Sequence, residues 1–229
     1  MRLSIIIPVL NDAASLASLL EGAQAWRAAG HETIVADGGS HDQSAEIARP
    51  LCDEVVVAPR GRASQMNAGA AAASGDALLF LHADTRLPAD APAAIVDALD
   101  AGAVWGRFDI RIVGRSRWLP TVSRMVNWRS RLTGVATGDQ AMFVRRDVFR
   151  RLGGFADLPL MEDVEFSKRL RALGAPACLR GPALTSGRRW DRHGAWRTIL
   201  LMWRLRAEYF FGADPRRLAV RYGYAPRDD

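Results

Sequence analysis

Short apolar segments alternate with helix-like segments over residues 3–81, and this alternation constrains the fold more than any other feature of the chain. Buried strands are predicted over residues 3–10, 33–36, 54–58 and 77–81. The helix between the first two has one apolar face, made by Leu16, Leu19, Leu20, Ala23 and Trp26. Wholly apolar strands that alternate with helices favour a parallel sheet with helices on both faces. The predicted fold class is therefore α/β, with a Rossmann-like, mostly parallel sheet.

Two more helices complete this half of the chain. One is predicted over residues 40–49, where Ser40 and Gln43 have the spacing of a capping box. The other is an alanine-rich helix over residues 62–73.

The second half changes character. Residues 104–112 alternate in polarity, which predicts a half-exposed strand that is antiparallel or at an edge. A helix over residues 118–131, a strand over 140–144 and a short helix over 147–152 follow. Periodic apolar residues then predict a helix within residues 159–174 and a C-terminal helical tail over 193–211.

The first strand ends in a turn that excludes two common nucleotide-binding motifs. It reads P-V-L-N-D-A-A, without G-x-G-x-x-G or a Walker lysine. A phosphate-bearing ligand would therefore be held by a carboxylate-bound metal and by side chains.

His82 and Asp84 follow the strand predicted over residues 77–81, at the edge where open α/β sheets bind ligands. A carboxylate two residues after an imidazole can hold a divalent metal. A turn cap at Asp84 and a packed His82 are the alternative.

Acidic residues crowd the first turn of the helix within residues 159–174, namely Glu162, Asp163 and Glu165. Such residues complement the helix macrodipole. A carboxylate at a helix start also faces the cleft, where it can act as a general base.

Charge and composition bear on partners and on cell compartment. The net charge is +6, and its excess is arginine, since Lys168 is the only lysine. Two cysteines without a C-x-x-C pair favour a reducing compartment. Neither a signal peptide nor an apolar run near the ~20 residues of a membrane span is visible. The tryptophans and arginines of the tail suit a membrane interface, or the tail docks on the sheet with its tryptophans in the core.

Four motifs, taken together and in order, resemble those of the family 2 glycosyltransferases, which are inverting enzymes with the GT-A fold. They are S-I-I-I-P-V-L-N-D (residues 4–12), V-A-D-G-G-S-H-D (35–42), N-A-G-A-A-A-A-S-G-D-A-L-L-F-L-H-A-D (67–84) and G-G-F…M-E-D-V-E-F-S-K-R-L…G (153–174). The H-A-D-T-R-L-P, G-D-Q and M-E-D-V-E forms are similar to a bacterial subgroup of small, stand-alone enzymes.

The resemblance implies roles for particular residues. The nucleotide-sugar would be bound by Pro8, Asn11, Asp37, Arg62, Asn67 and Asp84. Asp84, the final Asp of D-x-D, would also hold Mg²⁺ or Mn²⁺ on the diphosphate. Asp163 would be the catalytic base that takes the proton of the acceptor hydroxyl, supported by Glu162.

Two residues depart from the family pattern. His82 stands where D-x-D has its first Asp, so it is a candidate metal ligand of this chain. Gly38 stands where D-G-G has replaced D-D-G. The resemblance implies that this change would alter contacts to uracil or ribose. His193 lies in the tail, where related enzymes often place a metal-ligating histidine, although a surface role suits it better.

The resemblance implies a single GT-A domain over residues 1–229. Residues 1–100 would form the nucleotide-sugar half, 101–190 the acceptor half and 191–229 the helical tail. The implied activity is the metal-dependent transfer of a sugar from a UDP- or GDP-sugar to a hydroxyl of an unidentified acceptor. A lipid-linked or cell-envelope glycan is the candidate acceptor. The implied place is the cytoplasm, with peripheral attachment to the inner face of the plasma membrane as an option, and no nucleic acid is expected as a partner.

Two other function classes stay open. A nucleotidyltransferase that makes the activated sugar would share the nucleotide-binding sheet and the acidic metal site, but should carry a glycine-rich, basic signature after its first strand. A basic binding protein for membranes or nucleic acid would account for the arginines and the tryptophan-rich helices.

Overall fold

A single mixed sheet organises the computed structural model, which describes residues 1–224. Its strands are β1 (Leu3–Val9), β2 (Glu32–Asp37), β3 (Glu54–Val57), β4 (Ala77–Phe80), β5 (Thr85–Arg86), β6 (Trp105–Val113), β7 (Phe143–Arg145) and β8 (Ala177–Ser186). They lie in the order β3-β2-β1-β4-β7-β6-β8-β5.

The helices cover both faces of the sheet and extend beyond it. They are α1 (Ala13–Ala28), α2 (Ser44–Ala48), α3 (Arg62–Ala72), α4 (Ala91–Asp100), α5 (Leu119–Thr133), α6 (Arg146–Arg151), α7 (Glu162–Arg171), α8 (Arg188–His193), α9 (Ala195–Phe210) and α10 (Pro215–Tyr222). A 3₁₀ turn spans Gly138–Gln140. None of the helices within residues 1–224 combines the length and apolar character that crossing a bilayer requires.

The first half confirms the predicted α/β fold. Strands β3, β2, β1 and β4 run parallel, and every residue of β1, β2 and β4 is buried. Their bounds agree with the predicted strands to within a residue or two. Since β1 lies between β2 and β4, the strand order reverses there, and the carboxyl ends of β1 and β4 border a ligand crevice.

Two apolar cores pack against the two faces of the sheet. One contains the buried face of α1, including Leu16, Leu20 and Trp26. The other is rich in phenylalanine, and its rings from β4, α6 and α7 interlock, with Phe155 4.6 Å from Phe166 and 4.8 Å from Phe80 between ring centroids. This aromatic cluster fixes α7, and with it Glu162 and Asp163, relative to the end of β4.

Strand β6 was expected to be half-exposed, and this expectation was wrong for its first half. β6 lies inside the sheet between β7 and β8, and both Trp105 and Arg107 are fully buried. The guanidinium of Arg107 is neutralised by an ion pair with Asp109, which also binds Arg131 at 2.6 Å. The expected antiparallel pairing is present, with β7.

Local contacts and long-range pairing account for the other corrections. The capping box at Ser40 and Gln43 does not form, because Ser40 Oγ donates to Asp37 instead and α2 begins at Ser44. The strand expected from residue 140 begins at Phe143, because Gly138–Gln140 forms the 3₁₀ turn. Strands β5 and β8 and helices α8 and α10 were not predicted.

Gly106 shows how tightly β6 and β8 approach each other. A Cβ atom at this position would lie 2.4 Å from the carbonyl oxygen of Ala177 and 2.3 Å from Cζ of Phe143.

We therefore expect Gly106→Ala to lower the free energy of unfolding by about 1–3 kcal/mol, because the backbone must move to admit the methyl group. Gly22 in α1 has no atom within 4 Å of the same point, so Gly22→Ala should instead stabilise the protein by about 0.5–1 kcal/mol. Urea denaturation of both variants tests the difference, and equal midpoints would contradict it.

Candidate active site

Two adjoining cavities lie beyond the carboxyl ends of β1 and β4. The first, about 370 Å³, borders the ends of β1 and β4 and the start of α3. The second, about 770 Å³, extends towards α5, α7 and α9. We name them the donor cavity and the acceptor cavity after the roles that the family resemblance implies for their residues. Arg62, His82, Asp84 and Tyr224 line both, so they stand at the junction of the two.

Gln65 fixes the floor of the donor cavity. Its side-chain Nε2 donates to the carbonyl oxygens of Val9 at 2.6 Å and Ala36 at 2.9 Å, which ties α3 to two strand ends. A Cβ atom on Gly38 would lie 2.9 Å from Gln65 Cδ. The absent side chain at Gly38 therefore makes room for Gln65, which gives the departure from the D-D-G pattern a structural reason.

Only some of the predicted nucleotide-sugar residues line the donor cavity. Pro8, Arg62 and Asp84 do. The Asp37 carboxylate is buried and accepts two hydrogen bonds from Ser40, one from Oγ at 2.5 Å and one from the backbone N–H at 3.1 Å.

The other two side chains also serve local structure. Asn11 has a left-handed backbone (φ 52°), and its Oδ1 accepts a hydrogen bond from the His41 N–H at 2.8 Å. Asn67 lies outside the described lining of both cavities. Its amide bonds the backbone of Phe155 in both directions, at 2.8 and 2.9 Å. Asp37, Asn11 and Asn67 thus shape the loops around the donor cavity.

A guanidinium joins two carboxylates at the mouth of the donor cavity. Arg188 lies 3.0 Å from Asp12 and 3.6 Å from Asp84, measured between nitrogen and oxygen. Burial raises the pKa of the Asp84 carboxyl, against the opposing effect of Arg188, and the nearby Asp12 raises it further. The two carboxylates therefore attract positive charge, and Asp12 and Arg188 were missed as site residues by sequence reasoning.

His82 is an uncharged imidazole beside Asp84. Burial, together with the Arg62 guanidinium, lowers the pKa of His82 to about 3, so the ring is neutral near pH 7. A Cβ atom on Gly138 would lie 2.7 Å from Nε2 of His82. Only glycine at position 138 therefore lets the ring occupy this place.

Asp84 and His82 fit a metal site whose remaining ligands come from a bound substrate. Among the described residues, no group of three or more His, Cys, Asp or Glu side chains converges as a metal site would require. Asp84 offers carboxylate oxygen and His82 offers a neutral ring nitrogen. A Mg²⁺ ion is commonly held by one or two carboxylates together with substrate phosphates and water, so this sparse set suits a divalent ion on a diphosphate.

The first turn of α7 places Glu162 and Asp163 on the acceptor cavity. The turn is entered through Met161, which has a left-handed backbone (φ 71°). Asp163 accepts backbone hydrogen bonds through both oxygens, from Gly138 at 2.7 Å and from Val164 at 2.6 Å. The base candidate is therefore held in one orientation.

Burial perturbs both carboxyl groups. It raises the pKa of Glu162 to about 7, and repulsion from Asp163 adds to the effect. It also raises the pKa of Asp163, against the hydrogen bond from Gly138. Raised carboxyl pKa values in a cleft are typical of acid–base sites.

The acceptor cavity has mainly apolar walls. α5 and α9 supply most of them through Val122, Met125, Val126, Trp128, Ile199, Met202, Trp203 and Leu205. Arg129 and Arg206, from the same two helices, bring guanidinium groups to this wall.

The last described residues close the junction of the cavities. The Arg189 guanidinium stacks on Tyr222 at 3.6 Å from the ring centroid, and Arg62 lies 5.3 Å from the centroid of Tyr224. The sequence signal for α10 was Asp214 followed by proline, since Asp214 caps the helix by accepting from Arg216 N–H at 2.9 Å. By contrast, His193 is exposed and outside the described lining of both cavities, as a surface histidine would be.

Comparison with known proteins finds one family and several relatives. The family model described as Glycosyl transferase family 2 matches residues 4–153. The undecaprenyl-phosphate 4-deoxy-4-formamido-L-arabinose transferase of Yersinia enterocolitica is 31% identical over 163 residues, which cover 63% of this chain and 48% of the relative. An uncharacterized glycosyltransferase of Mycobacterium bovis is 33% identical over 135 residues, covering 56% of this chain and 59% of the relative. The chain thus spans about half the length of these relatives.

Solved structures share the fold. A mannosyltransferase from Pyrobaculum calidifontis, in complex with GDP-Man and Mn²⁺, has a TM-score of 0.67 at 21% identity and covers 97% of this chain and 69% of its own. TarS of S. aureus in complex with UDP-GlcNAc has a TM-score of 0.65 at 17% identity and covers 81% and 58%. These likenesses confirm the predicted GT-A fold.

The buried Glu162 makes stability depend on pH in a defined direction. Because its pKa rises from 4.5 to about 7 on folding, the folded state binds a proton more tightly than the unfolded chain between these values. The free energy of unfolding should therefore fall as pH rises through this window. Glu162→Gln removes the effect, so it should be near neutral at pH 4.5 and stabilising by on the order of 1–3 kcal/mol at pH 8.

Denaturant titrations at several pH values measure this difference. Glu46→Gln, an exposed substitution on α2, is the control variant against which the effect of Glu162→Gln is compared at each pH. A Glu162→Gln variant that is less stable than the wild type at pH 8 would contradict the prediction.

Proposed function

Since the chain belongs to glycosyl transferase family 2, we propose that it is a metal-dependent, inverting glycosyltransferase that uses a nucleoside-diphosphate sugar. One observation carries the proposal. The donor cavity shares Asp84 and His82 with the adjoining cavity, where Asp163 is held by two backbone amides. A sugar bound at this junction has a leaving-group site on one side and a base on the other.

The donor cavity suits the nucleoside diphosphate. Pro8, Val9 and Gln65 form its floor, and Arg62 brings a cation to the junction where a diphosphate would lie. Asp84 and His82 would hold Mg²⁺ or Mn²⁺, whose positive charge stabilises the departing diphosphate. The solved mannosyltransferase binds GDP-Man and Mn²⁺, which supports a nucleotide-sugar and a divalent metal here without deciding between UDP and GDP.

Asp163 is the proposed base. The acceptor oxygen attacks the anomeric carbon as its proton passes to the Asp163 carboxylate, while the bond from that carbon to the diphosphate oxygen breaks. Attack on the face opposite the leaving group inverts the anomeric configuration. Hydrogen bonds from Gly138 and Val164 stabilise the ionised form of Asp163, whereas Glu162, with its pKa about 7, spends part of its time protonated and so limits the repulsion between the two.

An amphiphilic, lipid-linked acceptor fits the second cavity best. Its volume of about 770 Å³ is larger than a free sugar needs. Its tryptophan and methionine walls offer apolar surface that suits a lipid better than a sugar. The relative from Yersinia enterocolitica is named for an undecaprenyl phosphate, which is a lipid.

The outer faces of α5 and α9 form a surface that we assign to a membrane. This aromatic surface consists of residues that are 39–67% exposed, namely Trp118, Met125, Trp128, Leu132, Trp196, Leu200 and Trp203. Of the two alternatives for the tail, tryptophans in the core or at a surface, the first does not hold for Trp196 and Trp203. Arg117, Arg124 and Arg197 are exposed among them. Exposed tryptophan and leucine with interspersed arginine match an anionic lipid surface, and Trp128, Met125 and Trp203 lead from this surface into the acceptor cavity.

Paired substitutions separate the two proposed roles. With Mn²⁺ present, Asp163→Asn should bind the donor within about twofold of wild type but transfer sugar roughly 10²- to 10⁴-fold more slowly, since it lacks a base. Asp84→Asn should weaken donor affinity by about tenfold or more and abolish its dependence on Mn²⁺. Calorimetry with nucleotide-sugars and single-turnover transfer are the measurements, and Asp97→Asn on the exposed side of α4 is the control. Full transfer by Asp163→Asn would remove that residue from the role of base.

Vesicle binding tests the aromatic surface. Trp196→Ser with Leu200→Ser changes two exposed residues of α9 that do not line the described cavities. We expect this variant to bind vesicles of phosphatidylglycerol and phosphatidylcholine about tenfold or more weakly than wild type, because apolar burial is lost. Both proteins should bind vesicles of phosphatidylcholine alone more weakly than the anionic vesicles. Added salt should reduce this difference between the two kinds of vesicle.

Val57→Ser is the matched control, since Val57 is 76% exposed but lies on β3. The membrane assignment fails if the double variant and the control sediment alike. A concentration-dependent dimer that only the double variant loses would instead identify the surface as an interface between copies of the chain.

A further inference from the structure

Two guanidinium groups on the wall of the acceptor cavity form no ion pair with any residue that the structure describes. Arg129 of α5 and Arg206 of α9 both line this cavity, from the two helices that form its apolar walls. We call them the guanidinium pair. Neither forms an ion pair or a side-chain hydrogen bond with any other residue among the described 224.

Arg129 is the more unusual of the two. Its Nε and Nη2 atoms are buried and lack any hydrogen-bond partner within the described part of the chain. A buried polar group without a partner costs about 1–3 kcal/mol, and more if it is charged, so such groups are rare unless something binds them. Residues 1–224 therefore leave two donors of the Arg129 side chain unpaired.

The charged residues around Arg129 do not pair with its free donors. Arg206 and the buried Arg107 are neighbouring cations, and burial followed by the charge of Arg206 lowers the pKa of Arg129 to about 10, which still leaves it protonated near pH 7. Asp139 and Asp163 are the nearby carboxylates. Asp163 is engaged by Gly138 and Val164, and Oδ1 of Asp139 is itself buried without a partner. The pair thus keeps uncompensated donors beside the proposed base.

We propose that Arg129 and Arg206 bind a phosphate group on the acceptor, which makes the acceptor a phosphorylated amphiphile. This inference rests on the proposed function, because it gives the anionic part of the acceptor a place next to Asp163. Guanidinium groups bind phosphate through charge-assisted, often paired hydrogen bonds. The apolar walls of the same cavity, with Trp128, Met202 and Trp203, are suited to a hydrocarbon chain attached to that phosphate.

Farnesyl phosphate, farnesol and inorganic phosphate are the probes that test the subsite. Binding is followed by tryptophan fluorescence, since Trp128 and Trp203 line the cavity. Wild type should bind farnesyl phosphate about tenfold or more tightly than farnesol, because a charge-assisted pair contributes that much. Arg129→Gln and Arg206→Gln should each lose most of this preference while farnesol affinity stays within about twofold.

Conservative and distant substitutions serve as controls. Arg129→Lys keeps the charge and should keep part of the preference. Arg111→Gln, exposed on β6 and outside the described lining of both cavities, should bind all probes as wild type does. Thermal unfolding of each variant establishes that it is folded.

The outcomes assign or remove the subsite. Equal affinity of wild type for farnesyl phosphate and farnesol would overturn it, as would an unchanged preference in both glutamine variants. If inorganic phosphate displaces farnesyl phosphate at millimolar concentration, the subsite stands and a small phosphate ester suffices as its ligand. If it does not, the subsite stands and the hydrocarbon chain is required.

Donor binding separates this inference from the proposed function. The same wild-type protein is titrated with UDP- and GDP-sugars in the presence of Mn²⁺. Donor binding without any preference for the phosphorylated probe removes only the guanidinium subsite. Absence of donor binding removes the proposed glycosyltransferase function, whatever the lipid probes show.

Discussion

The hydrogen bond from the Gly138 amide to the Asp163 carboxylate, 2.7 Å long, is the interaction on which the candidate site depends. It can form because position 138 has no side chain, and His82 occupies the space that a side chain would need. The end of β4, the 3₁₀ turn and the start of α7 are therefore locked together through three residues. His82 lines the donor cavity as well as the acceptor cavity, so this contact sets the distance between the proposed leaving-group site and the proposed base. A carboxylate in place of His82 would add repulsion next to the buried Asp163, which is consistent with an imidazole at this position of the D-x-D-like segment.

The parallel half of the sheet could be predicted from sequence because its signals are local. Each of β1, β2 and β4 is buried on both faces and reads as an unbroken apolar run, and β1 is separated from β2 by the periodic helix α1. Strand β8 gives no such signal. It contains Gly181 and Pro182, its burial is irregular, and a register shift interrupts its pairing with β6. The pairing of β6 with β8 joins segments far apart in sequence, so only the tertiary fold determines it.

The same distinction separates the site residues that could be predicted from those that could not. Asp84, His82 and Asp163 follow a strand or begin a helix, where topology alone directs a side chain into the crevice. Arg129 and Arg206 lie on helices whose periodicity predicts an apolar face but not the cavity that this face borders, and Arg188 begins a short helix that was not predicted. For Asp37 and Asn67 the structure shows hydrogen bonds within the surrounding loops, which position at the sheet edge does not reveal, and their contacts to a nucleotide-sugar stay a prediction.

The tail is an integral part of the site, although its sequence suggests an appendage. A third apolar cluster joins the start of α7 to the last two helices through Leu160, Met161, Val164, Leu205, Leu218 and Ala219. The burial that raises the pKa of Glu162 and Asp163 therefore depends on α9 and α10 being in place. α9 contributes Arg206 to the acceptor cavity on one side and exposes Trp196 and Leu200 on the other. A membrane contact on its outer face would be separated from the proposed base by a single helix, so a lipid-linked acceptor could reach Asp163 without leaving the lipid surface completely.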